Sequence, residues 1–146
     1  MAQRATESIV VNAAPEVVYS VVTDFLDYSN WVSDLKSVTV LESDSAGRPL
    51  EVEFRAAAFG RSTTYALRYD YSRAPEQLSW RQTRGDITES LVGQYRFDPS
   101  GVGTTVTYDL EVELLVPIPP FVKVRAAHRI QTQALRELKA RAESRA

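Results

Sequence analysis

The sequence predicts an α+β protein in which a curved antiparallel β-sheet wraps around one long C-terminal α-helix, with two short helices after the first strand. Three observations predict it. After Pro117-Ile118-Pro119-Pro120 the chain runs to Ala146 with no further glycine or proline. Between Lys36 and Leu114, apolar and polar residues alternate with period two in six runs separated by short turns. Between the first strand and those runs, residues 15–33 carry helical spacing instead.

Taken in order, Ser8 to Asn12 reads as the first strand. Pro15-Glu16 opens a helix over Glu16 to Thr23, with Val17, Val18, Val21 and Val22 as its apolar side. A proline near its start and an acid in its first turn suit that end. Asp24 is placed to cap a second short helix, about Phe25 to Ser33, with Phe25, Tyr28 and Trp31 at three-residue spacing. The alternating runs come next. Val38 and Val40 lead, then Leu50, Val52, Phe54, Ala56 and Ala58, turning at Phe59-Gly60. Tyr65, Leu67, Tyr69 and Tyr71 form the third run, and after Ala74-Pro75-Glu76 come Leu78, Trp80, Gln82 and Arg84. Beyond Gly85-Asp86 the inward set is Glu89, Leu91, Gly93, Tyr95 and Phe97, and the last is Thr104, Val106, Tyr108, Leu110, Val112 and Leu114. Short turns between successive runs imply antiparallel hairpins. One apolar face and one charged face imply a sheet covered on one side.

Proline is tolerated in the first turn of a helix but not inside it. The final helix therefore starts near Pro119 and spans about 24 residues, roughly 36 Å. Val124, Ala127, Gln131, Ala134, Leu135, Leu138 and Ala142 share one stripe, with Phe121 and His128 at its border. The basic side of this helix, Arg125, Arg129, Arg136 and Lys139, reads as a solvated face.

The 146 residues fit one domain, 1–146, with room for a real core. The net charge of −2 gives no reason to expect nucleic acid as a partner. Absence of cysteine excludes disulfides and thiol chemistry and fits a reducing compartment, so a cytoplasmic protein is expected. No apolar run is long enough to span a bilayer, and the first residues lack a signal-peptide core, so no stable membrane insertion is expected. With one histidine, neither a zinc site nor any other metal or cofactor site is expected.

Pro15-Glu16-Val17-Val18-Tyr19, then Val22-Thr23-Asp24-Phe25-Leu26-Asp27-Tyr28-Ser29-Asn30-Trp31, then Val38, resembles the opening of START-like (SRPBCC) proteins. The element order over the whole chain resembles their helix-grip fold. That superfamily includes polyketide cyclases/dehydratases and coenzyme Q-binding proteins. In the coenzyme Q-binding branch a proline and an aromatic usually follow the Tyr-x-x-Trp unit. Here Val32-Ser33-Asp34 stands in that place, which points to the broader cyclase and lipid-binding group. The resemblance implies an internal cavity for a hydrophobic small molecule such as a lipid, isoprenoid, quinone or polyketide. It identifies fold better than chemistry, because one fold hosts many functions.

The inward tyrosines admit two readings, a packed core or a cavity wall. A buried hydroxyl needs a partner, and Tyr65, Tyr69, Tyr71, Tyr95 and Tyr108 are many for a dry core. The expected ligand-binding set is Phe54, Tyr65, Leu67, Tyr69, Trp80, Gln82, Leu91, Tyr95 and Tyr108 from the sheet, with Val124, His128, Gln131 and Leu135 from the helix. The entrance is expected between the loop at Phe59 and the Leu114–Phe121 segment. Arg84 and Glu89 are expected to pair across the Gly85-Asp86 turn near the rim. Binding or transport of an apolar molecule is the first functional reading. The alternative is an aromatase/cyclase or dehydratase using the same cavity, with His128 or Glu89 moving protons. Gln131 stands where leucine would serve packing alone, so Gln131→Leu is expected to raise stability slightly. The residues do not decide whether the protein is an enzyme, what its ligand is, or its oligomeric state.

Overall fold

The computed structural model describes residues 3–58, 61–115 and 117–146. Its elements are β1 (Gln3–Val11), α1 (Pro15–Thr23), a 3₁₀ turn (Phe25–Asn30), β2 (Leu35–Ser43), β3 (Pro49–Ala58), β4 (Arg61–Asp70), β5 (Gln77–Gly85), β6 (Thr88–Ser100), β7 (Gly103–Leu114) and α2 (Pro120–Ser144). The seven strands form one antiparallel sheet in the order β1-β7-β6-β5-β4-β3-β2. The helix-grip fold expected from the sequence is present, with α2 at 25 residues. The second short helix is a single 3₁₀ segment rather than a run to Ser33.

β1 and β2 are the two edges of the sheet, and α2 is fastened towards both. On the β1 side, Lys139 Nζ donates to Val10 O at 3.0 Å, and Glu143 Oε2 accepts from Asn12 N at 2.8 Å. On the other flank, Gln133 Nε2 donates to Ser33 Oγ at 2.8 Å and Asp34 Oδ2 at 3.1 Å, just before β2. Glu137 accepts from Ser33 N at 3.2 Å, and Arg141 and Arg145 both reach Asp27 Oδ2, at 2.8 and 3.1 Å. The hydrogen bond from Asn30, then the one from Arg141, holds the Asp27 carboxyl below the usual carboxylate range. Bonding one helix near both edges keeps a seven-stranded sheet curled, with its apolar face enclosed.

Burial varies across that enclosure. Towards the C-terminal half of α2, Val11, Val18, Val21, Val22, Leu78, Val106, Leu138 and Ala142 are sealed. Full burial of such a side chain is worth about 1.5–3 kcal/mol. Partly buried apolar residues pack around this core, among them Ile9, Val17, Tyr19, Trp31, Leu35, Tyr65, Leu91, Tyr95 and Ala134.

Candidate ligand-binding site

Period-two alternation delivers one inward side chain from every second residue of each strand, and here most of those are aromatic. Ring pairs run across five strands. Phe54 on β3 lies 5.6 Å from Tyr65 on β4, and Tyr69 lies 6.0 Å from Trp80 on β5. Trp80 lies 5.1 Å from Tyr95 on β6 and 5.8 Å from Tyr108 on β7, and the last two are 4.7 Å apart. The spacings are those of offset and edge-to-face pairs, which favour a rigid wall.

The 3₁₀ turn extends this wall. Phe25 sits 4.6 Å from Tyr69 and 6.4 Å from Phe54, Tyr28 sits 6.1 Å from Phe54, and Trp31 lies 5.1 Å from Tyr28. Sequence reasoning saw the three-residue spacing of Phe25, Tyr28 and Trp31 but did not place them with the sheet aromatics. Only the packing of the turn onto the start of β2 and onto the inner sheet face brings them there.

The hydroxyls divide into two sets. Tyr28 donates to Val22 O, and Tyr71 donates to Pro49 O at 2.5 Å, so both are committed to the fold. Tyr65, Tyr69, Tyr95 and Tyr108 make no hydrogen bond with the described residues, yet none of their oxygens is among the sealed, unpaired atoms. Their oxygens therefore face open space on the inner side of the sheet. Desolvation pushes Tyr65 up to about 12, and it raises Tyr69, Tyr95 and Tyr108 further. These groups stay protonated at neutral pH and can donate hydrogen bonds. Two sealed polar atoms lie unpaired near this wall, Trp31 Nε1 and Gln131 Oε1.

Of the expected site residues, Phe54, Leu67, Tyr69, Trp80, Tyr108 and Leu135 are buried on the inner side, and Tyr65, Leu91 and Tyr95 are half-buried there. The remaining residues depart from expectation in place or in partner. Glu89 is exposed, because a bulge in β6 lets Thr88 pair with Leu114 and Ser90 with Glu113, which leaves Glu89 as the extra residue. A second irregularity pairs Leu67 with Gln82 but Ala66 with Arg84, which turns Arg84 to the outer face. Arg84 consequently bonds Glu53 on β3 rather than Glu89. Gln82 stays inward but spends its amide on Thr88, donating to its carbonyl at 2.8 Å and accepting from its hydroxyl.

His128 lies on the flank of α2 that runs along β1, with its side chain 45% exposed and Nδ1 2.6 Å from Glu7 Oε1. A half-solvated ring beside the edge strand cannot reach the aromatic wall, so neither proton-transfer candidate faces it. Val124 remains on the helix stripe but is 40% exposed, because the first turns of α2 reach past the packed region. The Phe59 side of the expected entrance lies outside the described residues.

Gln131 is fully buried, and its Nε2 donates to Ala5 O at 2.9 Å and Tyr108 O at 3.0 Å, tying α2 to the β1–β7 seam. Two carbonyl partners identify the nitrogen, so the unpaired atom is the acceptor oxygen. This reverses the stability gain expected for Gln131→Leu. The substitution is now expected to lower stability by about 1–2 kcal/mol, the scale of a buried hydrogen bond lost. Urea denaturation checks the sign, and an unchanged or raised midpoint would show the tie to contribute nothing.

Comparison with known proteins adds a lineage to this geometry. The family described as "Polyketide cyclase / dehydrase and lipid transport" matches residues 2–143. The chain belongs to this family. Its fold is shared by a START superfamily protein from Mycobacterium smegmatis, with TM-score 0.92, 24% identity, and coverage of 98% of this chain and 99% of that one. The Zhui aromatase/cyclase from Streptomyces sp. R1128 aligns with TM-score 0.87 at 18% identity, covering 99% and 96%. TTHA0849 from Thermus thermophilus aligns with TM-score 0.83 at 20% identity, covering 99% of both chains. At these identities the likeness speaks for the fold alone. No curated protein matches the chain. Among the described residues no helix is long and apolar enough to cross a membrane, and no cluster of acidic or histidine side chains could hold a metal ion.

Proposed function

We propose that this member of the polyketide cyclase/dehydrase and lipid transport family binds a neutral, hydrophobic small molecule bearing oxygen functions, between the aromatic wall and α2. One observation carries the reading. Tyr65, Tyr69, Tyr95 and Tyr108 present unpaired hydroxyls on a wall that is otherwise apolar. A few placed polar groups on an apolar lining are what orient a ligand in a small-molecule pocket. No charged side chain among the described residues is buried, so a ligand carboxylate would find no counter-ion there. Binding is favoured over catalysis because the wall offers hydrogen-bond donors but no base: Glu89 and His128 point elsewhere, and tyrosines with raised pKa hold their protons.

The test is a titration followed by Trp80 fluorescence, with a panel of neutral polycyclic ketones or phenols and their parent hydrocarbons. A saturable response is expected. Tyr95→Phe should weaken the oxygen-bearing compounds by about 2- to 12-fold, the equivalent of one hydrogen bond, and leave the hydrocarbons unchanged. A flat signal across the whole panel would remove the proposal, as would equal weakening of both series.

A further inference from the structure

Around the start of α2, apolar side chains face solvent. Leu115 is 58% exposed, Phe121 67%, Val122 38% and Val124 40%. All four lie within ten residues, flanking Pro117-Ile118-Pro119-Pro120, whereas Val10, Leu26, Leu41, Val92 and Val102 are exposed singly on other elements. Isolated exposed apolar residues are ordinary, but a contiguous set marks a contact surface.

Along this stretch of the chain the charge is one-signed. The sequence from Leu114 to Arg136 holds Lys123, Arg125, Arg129 and Arg136 and no aspartate or glutamate, in a chain whose net charge is −2. Among the described residues, Lys123, Arg125 and Arg129 have no ion-pair partner. Lys123 also sits in the first turn of α2, where a helix dipole disfavours cations, so helix stability does not explain it. Exposed apolar side chains with a collar of unpaired cations complement one surface in particular, that of a bilayer carrying anionic headgroups.

We propose that the start of α2 docks reversibly on anionic membranes, with Phe121, Val122 and Val124 entering the headgroup region and Lys123, Arg125 and Arg129 pairing with lipid phosphates and carboxylates. The contact is peripheral and needs no spanning segment.

Co-sedimentation of the full chain, free of ligand, with phosphatidylcholine vesicles and with phosphatidylcholine/phosphatidylserine vesicles tests it. Binding is expected to the phosphatidylserine vesicles, with release at high ionic strength. Lys123→Gln/Arg125→Gln/Arg129→Gln should reduce partitioning roughly a hundredfold, about fivefold per cation, with an unchanged melting temperature because these side chains have no partner to lose. Phe121→Ser should also weaken binding but keep its salt dependence. Equal partitioning onto both vesicle types, or full binding by the triple variant, would overturn the proposal. So would a dimer of the free protein that Phe121→Ser dissolves, since the patch would then be covered by a second copy. Because no ligand is present, this assay stands apart from the fluorescence titration, and either can fail alone.

Discussion

Phe25→Ala is expected to lower the stability of the protein by about 3–5 kcal/mol, the scale of a large buried aromatic removed from a core. Phe25 is 1% exposed and touches three other rings, Tyr69 at 4.6 Å, Tyr28 at 5.3 Å and Phe54 at 6.4 Å. It is the one fully buried side chain of the 3₁₀ turn, so truncation leaves a void and frees the turn from the sheet. All three neighbours belong to the proposed ligand wall, so the same variant should bind the fluorescent ligands more weakly. Urea denaturation with an unchanged m-value would read the effect. A loss below about 1 kcal/mol would mean that the neighbouring rings close over the void.

Gly93→Val should be destabilising although valine is by far the better strand residue. Judged by propensity and by the conformational freedom glycine adds to the unfolded chain, the change would stabilise by about 0.5–1 kcal/mol. Packing decides otherwise. A Cβ at position 93 would meet the Trp80 ring at 2.5 and 2.7 Å and the Asp109 carbonyl at 2.9 Å. The indole lies over the space a side chain would fill, and the backbone carbonyl cannot swing away. Overpacking of this kind costs about 1–3 kcal/mol, occasionally more. The displaced indole would be driven towards Tyr95 and Tyr108, its neighbours at 5.1 and 5.8 Å, so an altered Trp80 emission in the unliganded variant is the matching optical sign. Native-like emission together with a raised melting temperature would show that the strands part to admit the side chain.

Gln131 reads in the sequence as a polar intrusion on an apolar stripe, with no partner in view. Its partners in the structure are the backbone carbonyls of Ala5 and Tyr108, groups that every residue carries and that no side-chain pattern marks. Gln82 is a parallel case, bonded to the carbonyl and hydroxyl of Thr88 across the β5–β6 turn.

By itself, the sequence determined the element order, the antiparallel sheet, the long helix from Pro120 and the aromatic character of the inner face. Each of these comes from local rules: the period of hydrophobicity, the places proline can occupy, and turns too short for crossovers. The START-like opening agreed with them because it too is a local pattern. Only the tertiary structure decided which side of a strand certain residues occupy, and which groups meet across the enclosure. One extra residue in β6 moved Glu89 out of the site, and one in β5 turned Arg84 to solvent, because side chains alternate with period two and a single insertion reverses the facing on one side of it relative to the other. His128 went to the β1 flank and Phe25, Tyr28 and Trp31 joined the ligand wall because α2 and the 3₁₀ turn dock as rigid bodies. Their angle of docking is set by contacts between residues distant in the chain, such as His128 with Glu7 and Arg141 with Asp27, and periodicity along one element carries no record of those.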